Sequence, residues 1–129
     1  MGGSTIPVSM REWKWSGAEK AAARRAFDLV LQAELEAVIR ETKARAARIV
    51  EIDDVWKLEH WLGKRRREID LKFDYRYSVL PEVFAVMISK GQLRLEQLHG
   101  IAPEKLDAIE KLARFYGGER NSRLAHSQE

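Results

Sequence analysis

No proline and no internal glycine interrupts residues 17–50, and Phe27, Leu31, Leu35, Val38, Thr42, Ile49 and Ile52 recur at helical spacing along and just beyond that span. The pattern predicts one long amphipathic helix. Ser16 followed by Glu19 is a capping box, in which hydroxyl and carboxylate each satisfy an amide at a helix start. At 1.5 Å per residue such a helix is about 50 Å long, whereas a compact chain of this size has a radius of gyration of about 14 Å and a diameter of about 36 Å. Its own globule cannot cover it. The excess calls for a partner helix, a second copy of the chain, or both, and two-fold dimers are the commonest such arrangement. A homodimer is expected, with Leu31, Leu35, Val38, Val55, Leu62 and Arg66 as its candidate interface.

Asp53 and Asp54 are expected to cap a second helix, lying antiparallel to the first in a dimeric stalk. Its apolar stripe is Val55, Leu58, Leu62, Ile69 and Phe73, and Arg66 occupies the gap in that series. A guanidinium in a stripe needs an acceptor, which Asp70 can supply four residues on. Trp56, His60, Gly63, Arg66 and Asp70 fall on one face and read as a site for another macromolecule or as a subunit interface holding an ion pair. Beyond it, Ser78 is expected to cap a third helix with Pro81 in its first turn and Gly91 at its end. A short turn over 93–98 stops at Gly100. Pro103 opens a last helix with Leu106, Ile109, Leu112 and Phe115 on one side, which Gly117 and Gly118 are expected to finish.

The fold class is therefore all-α, with a long N-terminal helix antiparallel to a second helix and a small helical head. Residues 1–15 read as a loose arm, 16–116 as a single helical domain (stalk 16–77, head 78–116) and 117–129 as a disordered tail. Residues 1–4 are compatible with a cloning remnant, and Trp13 and Trp15 are expected to staple the arm to the stalk.

Composition narrows the chemistry. With no cysteine in 129 residues, disulfides and thiolate zinc sites are closed. The longest apolar run, 83–88, is too short to span a bilayer, and a cytoplasmic location is expected. His60, His99 and His126 have neither metal-ligand spacing nor a nucleophile partner, so no enzyme, metal or cofactor is expected. The 23 basic and 20 acidic residues are interspersed, leaving a field too weak for a polyanionic partner. Nucleic acid is a remote alternative, suggested by the cluster 64–67 and by a helix pair joined through 99–103. The second helix of that pair carries Glu104, Asp107, Glu110 and Lys111, which ill suits a phosphate backbone. The plainest reading of 64–67 is a solvated face, of His60 an inert surface histidine, and of Trp56 with Arg66 a dimer interface.

The segment IDDVWKLEHWLGKRRREIDLKFDYRYSVL, the WS start of the first helix and the closing KLDAIEKLARF resemble the fluorescence recovery protein family of cyanobacteria. The resemblance runs from about Trp15 to Phe115. It implies an all-helical dimer that binds photoactivated orange carotenoid protein, speeds its return to the orange form and ends quenching at the phycobilisome, without covalent chemistry. Trp56 and Arg66 match family residues implicated in activity near the dimer interface, and Trp56, Glu59, His60, Arg66 and Asp70 are the candidate partner-binding set. Three positions depart from the family: Glu59 and His60 stand in reversed order, and Glu82 replaces a phenylalanine used for partner contact. The alternative is a divergent member acting on a different protein partner.

Overall fold

The computed structural model describes residues 8–127, with side chains over 10–118. Its elements are α1 (Val8–Arg11), α2 (Gly17–Ala47), α3 (Ile52–Lys72), α4 (Leu80–Ser89), a 3-10 helix over Leu95–Leu98, and α5 (Pro103–Ser127). No strand occurs among the described residues, and the fold is all-α as its sequence predicts. The chain divides into two compact units, Met1–Val30 with Tyr75–Glu129, and Leu31–Asp74.

The start of α2 follows its sequence signal. The Glu19 amide donates to Ser16 Oγ at 3.1 Å and the Ser16 amide to Glu19 Oε1 at 2.9 Å. The helix runs for 31 residues, about 46 Å, and ends at Ala47 rather than near Val50. There the amides of Arg48 and Ile49 bond the carbonyls of Arg45 and Ala46, a tightened last turn. Asp54 Oδ2 then accepts the amides of Val50 and Glu51, both at 3.0 Å. Hence Asp53 and Asp54 are not caps but lie inside the first turn of α3, behind Glu51 as N-cap. A carboxylate placed there reaches back to the preceding amides and meets the positive helix end. Those amides hold the Asp54 carboxyl below the usual carboxylate range.

Ser78 is likewise not the cap of α4. That role falls to Val79, because the amides of Val79 and Leu80 are already turned onto the Arg76 carbonyl. Pro81 sits in the first turn as expected. Gly91, at φ 74°, ends the helix, its amide bonding Ile88 while that of Gln92 bonds Met87. This pair of bonds is the Schellman arrangement that favours glycine. The last helix opens at Pro103 but passes through Gly117 and Gly118 to Ser127. Neither glycine takes a positive φ, so neither supplies a C-terminal stop, and each costs only about 1 kcal/mol of helix propensity.

In the first unit, Leu80, Phe84 and Met87 of α4, Ile109 and Ala113 of α5, and Ala22, Ala23, Ala26, Phe27 and Val30 of α2 are buried together with Leu93, Leu98 and Ile101. The small residues of α2 let backbone approach closely. Gly100, at φ +105°, lies where a Cβ would stand 3.0 Å from Ala22 Cβ. Glu19, only 7% exposed, joins the starts of α2 and α5 by accepting the Ala102 amide at 3.0 Å and Lys105 Nζ at 2.9 Å. Chiefly the Ser16 amide, against the cost of burial, and then Lys105 and Ala102 lower its pKa to about 2.

The arm is not loose where it is described. Met10 is buried, Trp13 meets Trp15 edge-on at 6.0 Å, and Trp15 lies 5.7 Å from Tyr77. Lys105 donates to the Lys14 carbonyl and stands over both indoles, 5.8 and 5.2 Å from their centroids. The indoles thus hold the arm against Tyr77 and the first turn of α5, where the sequence placed them against the stalk. Residues 1–4 lie outside the described residues.

Candidate interaction surface on the second helix

The second unit pairs the C-terminal part of α2 with α3. Arg65 Nη2 donates to Glu34 Oε1 at 2.7 Å and Lys72 Nζ to Glu34 Oε2 at 3.1 Å. Farther along, the Arg45 guanidinium lies 4.4 Å over the Trp61 ring while Arg45 Nε bonds Glu41 at 3.0 Å. Because rising numbers on one helix meet falling numbers on the other, the two are antiparallel, as expected. Burial pushes the Glu34 carboxyl up, but the bonds and charges of Arg65 and Lys72 outweigh it and hold the pKa below its usual value.

These contacts divide α3 into two sides. At 100° per residue, Leu58, Trp61, Arg65, Ile69 and Lys72 lie within about 80° of arc and face α2. Ile69 is the one buried residue of α3, and Trp61, Arg65 and Lys72 are half-buried. Trp56, Glu59, His60, Gly63, Arg66 and Asp70 occupy about 120° on the other side. All but Gly63 are exposed, Trp56 at 56%. The candidate set is therefore brought onto one outward face.

The proposed internal ion pair is not formed. Arg66 and Asp70 are both exposed, and no ion pair joins them among the described residues. Arg66 sits at the edge of the apolar stripe rather than inside it, about 40° from the direction of Leu62. A guanidinium exposed to solvent carries no burial cost, so no carboxylate is required. Of the candidate dimer residues, Leu31, Val38, Val55 and Leu62 are half-buried, and Leu35 and Arg66 are exposed.

The charged centre that does form, Glu34 with Arg65 and Lys72, has no local signature in the sequence. Its members lie 31 and 38 residues apart. A sequence clue exists only on α3, where Trp61, Arg65 and Lys72 share a side opposite Trp56. Among the described residues no cluster of three potential ligand side chains could hold a metal ion, and no helix is long and apolar enough to cross a membrane. In the first unit, Glu82 is half-buried on α4 and accepts the Tyr116 hydroxyl at 3.2 Å.

Comparison with known proteins places this geometry. Residues 15–113 match the family described as photoprotection regulator fluorescence recovery protein. The sequence is 40% identical over 104 residues to the fluorescence recovery protein of Synechocystis sp., covering 81% of this chain and 95% of that protein. The solved structure of the Fremyella diplosiphon fluorescence recovery protein aligns with a TM-score of 0.73 and 40% identity, over 78% of this chain and 99% of that one. For the Synechocystis structure the TM-score is 0.72 at 40% identity, with the same coverage.

Proposed function

This chain belongs to the fluorescence recovery protein family of photoprotection regulators, and on that premise we propose that it binds photoactivated orange carotenoid protein and speeds its return to the orange form. The observation that carries this reading is the outward face of α3, where Trp56 and Arg66, the two residues matching the family's functional pair, are exposed on one side of a helix. Aromatic and arginine side chains contribute most to protein interfaces, because each covers a large area at low entropic cost or makes several directional bonds.

The proposed action needs no bond made or broken in the partner. A protein that binds the docked arrangement of two domains more tightly than the separated one shifts the equilibrium toward docking. It speeds the change only if it also binds the transition state more tightly than the starting state. Trp56 would supply apolar contact, Arg66 with Asp70 and Glu59 directional polar contacts, and His60 a further donor or acceptor.

We also place a homodimer interface on the second unit, using Leu31, Leu35, Val38, Val55, Leu62 and Arg66. The support is a helix pair with few buried apolar residues and with Leu35, Ile39 and Ile52 exposed. A second reading, a different protein client, is favoured by Glu82, since a carboxylate bonded to Tyr116 stands where the family uses an apolar contact.

Mixing the full chain with photoactivated orange carotenoid protein in the dark distinguishes the two. Faster recovery of the orange absorbance, with co-elution of the two proteins, supports the first. Neither effect at micromolar concentration rejects it and leaves the second.

A further inference from the structure

Trp56, His60, Lys64, Arg67 and Leu71 succeed one another at spacings of four, four, three and four residues, so they form a straight ladder along α3, within about 80° of arc. Every one is exposed, Trp56 at 56% and Leu71 at 83%. The ladder has apolar ends and a basic middle. It overlaps the family-matched face only at Trp56 and His60, and Lys64, Arg67 and Leu71 belong to no site assigned so far.

The cations of this ladder lack the ion pair that several helix cations of the chain make, as do Arg40, Lys43 and Arg66 among the described residues. Arg24, Arg45, Lys57, Lys111 and Arg114 each form an ion pair with an acid four residues away. Arg67 has Gly63 and Leu71 at those distances, and Asp70, three residues on, forms no ion pair with it. Lys64 has Glu68 four residues on, but Glu68 Oε2 lies 3.7 Å from Arg65 Nη1. No ion pair involves Lys64 or Arg67 among the described residues. Arg67 Nη1 lies 3.5 Å from where a Cβ on Gly63 would stand, an ordinary contact distance, so the guanidinium lies back along the helix over Gly63. The ladder also lies about 100–180° round α3 from Val55 and Leu62 of the proposed dimer contacts.

We infer that this ladder is a docking edge for an acidic surface on the protein partner, with Lys64 and Arg67 meeting carboxylates and Trp56 and Leu71 seating apolar contacts about 22 Å apart. The inference rests on the reading of α3 as the partner-binding helix and names the chemistry of what binds there. The apolar ends fit a protein surface rather than a nucleic acid backbone.

The test follows dark recovery of photoactivated orange carotenoid protein at about 20 mM and about 300 mM NaCl, where screening differs strongly. It compares the full chain, the double variant K64E/R67E, and the control R40E/K43E, which reverses two exposed charges of α2. A second readout is the anisotropy of labelled polyglutamate, with a labelled single-stranded oligonucleotide alongside. The double variant should need about tenfold more protein for equal acceleration at low salt, converge with the unmutated chain at high salt, and lose polyglutamate binding. The control should do none of these. Equal activity of K64E/R67E and the unmutated chain at low salt overturns the inference, as does oligonucleotide binding tighter than polyglutamate. No acceleration by the unmutated chain, with polyglutamate binding that the double variant abolishes, rejects the carotenoid-protein partner and keeps the acidic edge. Polyglutamate binding absent in the unmutated chain, together with no acceleration, rejects both.

Discussion

Glu19 gathers the Ser16 amide, the Ala102 amide and Lys105 Nζ on one carboxylate, and so ties the start of α2 to the start of α5. A folded-state pKa of about 2 against the ordinary 4.5 means that folding favours the charged form. The stability it contributes is present above pH 4.5 and is lost as pH falls through the folded value near 2. About 2.5 units at about 1.36 kcal/mol each is roughly 3 kcal/mol. Replacing it by glutamine keeps an acceptor but removes the charge that Lys105 requires. Glu19→Gln is expected to lower unfolding free energy in urea by about 1–3 kcal/mol at pH 7, and to lose less than the unmutated chain between pH 5 and pH 3. The capping role of this residue was legible from Ser16 and Glu19 alone; its bridge to Ala102 and Lys105, 83 and 86 residues away, was not.

At the scale of elements, the helix pair of the second unit is held by polar contacts more than by a large core. Glu34 is 11% exposed at its side chain and its partners Arg65 and Lys72 are 26% and 19% exposed. Glu34→Ala leaves two half-buried cations without their shared carboxylate, and a loss of about 1–3 kcal/mol is expected by urea unfolding. Glu41→Ala removes an exposed pair with Arg45 and is expected to cost no more than about 0.5 kcal/mol. Periodicity located both helices, because apolar spacing reports directly on which side is covered. It could not separate Arg65 from Arg66. A step of one residue is 100°, and both border the stripe, so only the position of Glu34 on α2 decides which guanidinium turns inward. Local turn chemistry was similarly decisive where one residue type carries the geometry, at Pro81, Gly91 and Pro103. It failed at Gly117 and Gly118, where an ordinary helical φ removes the reason for reading glycine as a stop.

For the whole molecule, the proposed dimer follows from an uninterrupted helix of 31 residues and from apolar side chains left exposed on the second unit. Light scattering of the unmutated chain at micromolar concentration is expected to give twice the monomer mass. Leu62→Glu, which sets a charge among the candidate interface residues, is expected to shift that mass toward monomer. The central motif made the family legible from the sequence, since Trp56 and Arg66 stand in a long run of similar residues. The central claim is that this outward face of α3 acts on the carotenoid protein. Its most direct test is the dark recovery rate of photoactivated orange carotenoid protein with the unmutated chain and with Arg66→Ala, at matched helix content and matched mass. Acceleration by the unmutated chain and a loss of about tenfold or more in the variant is the expected result; equal acceleration by both would contradict it.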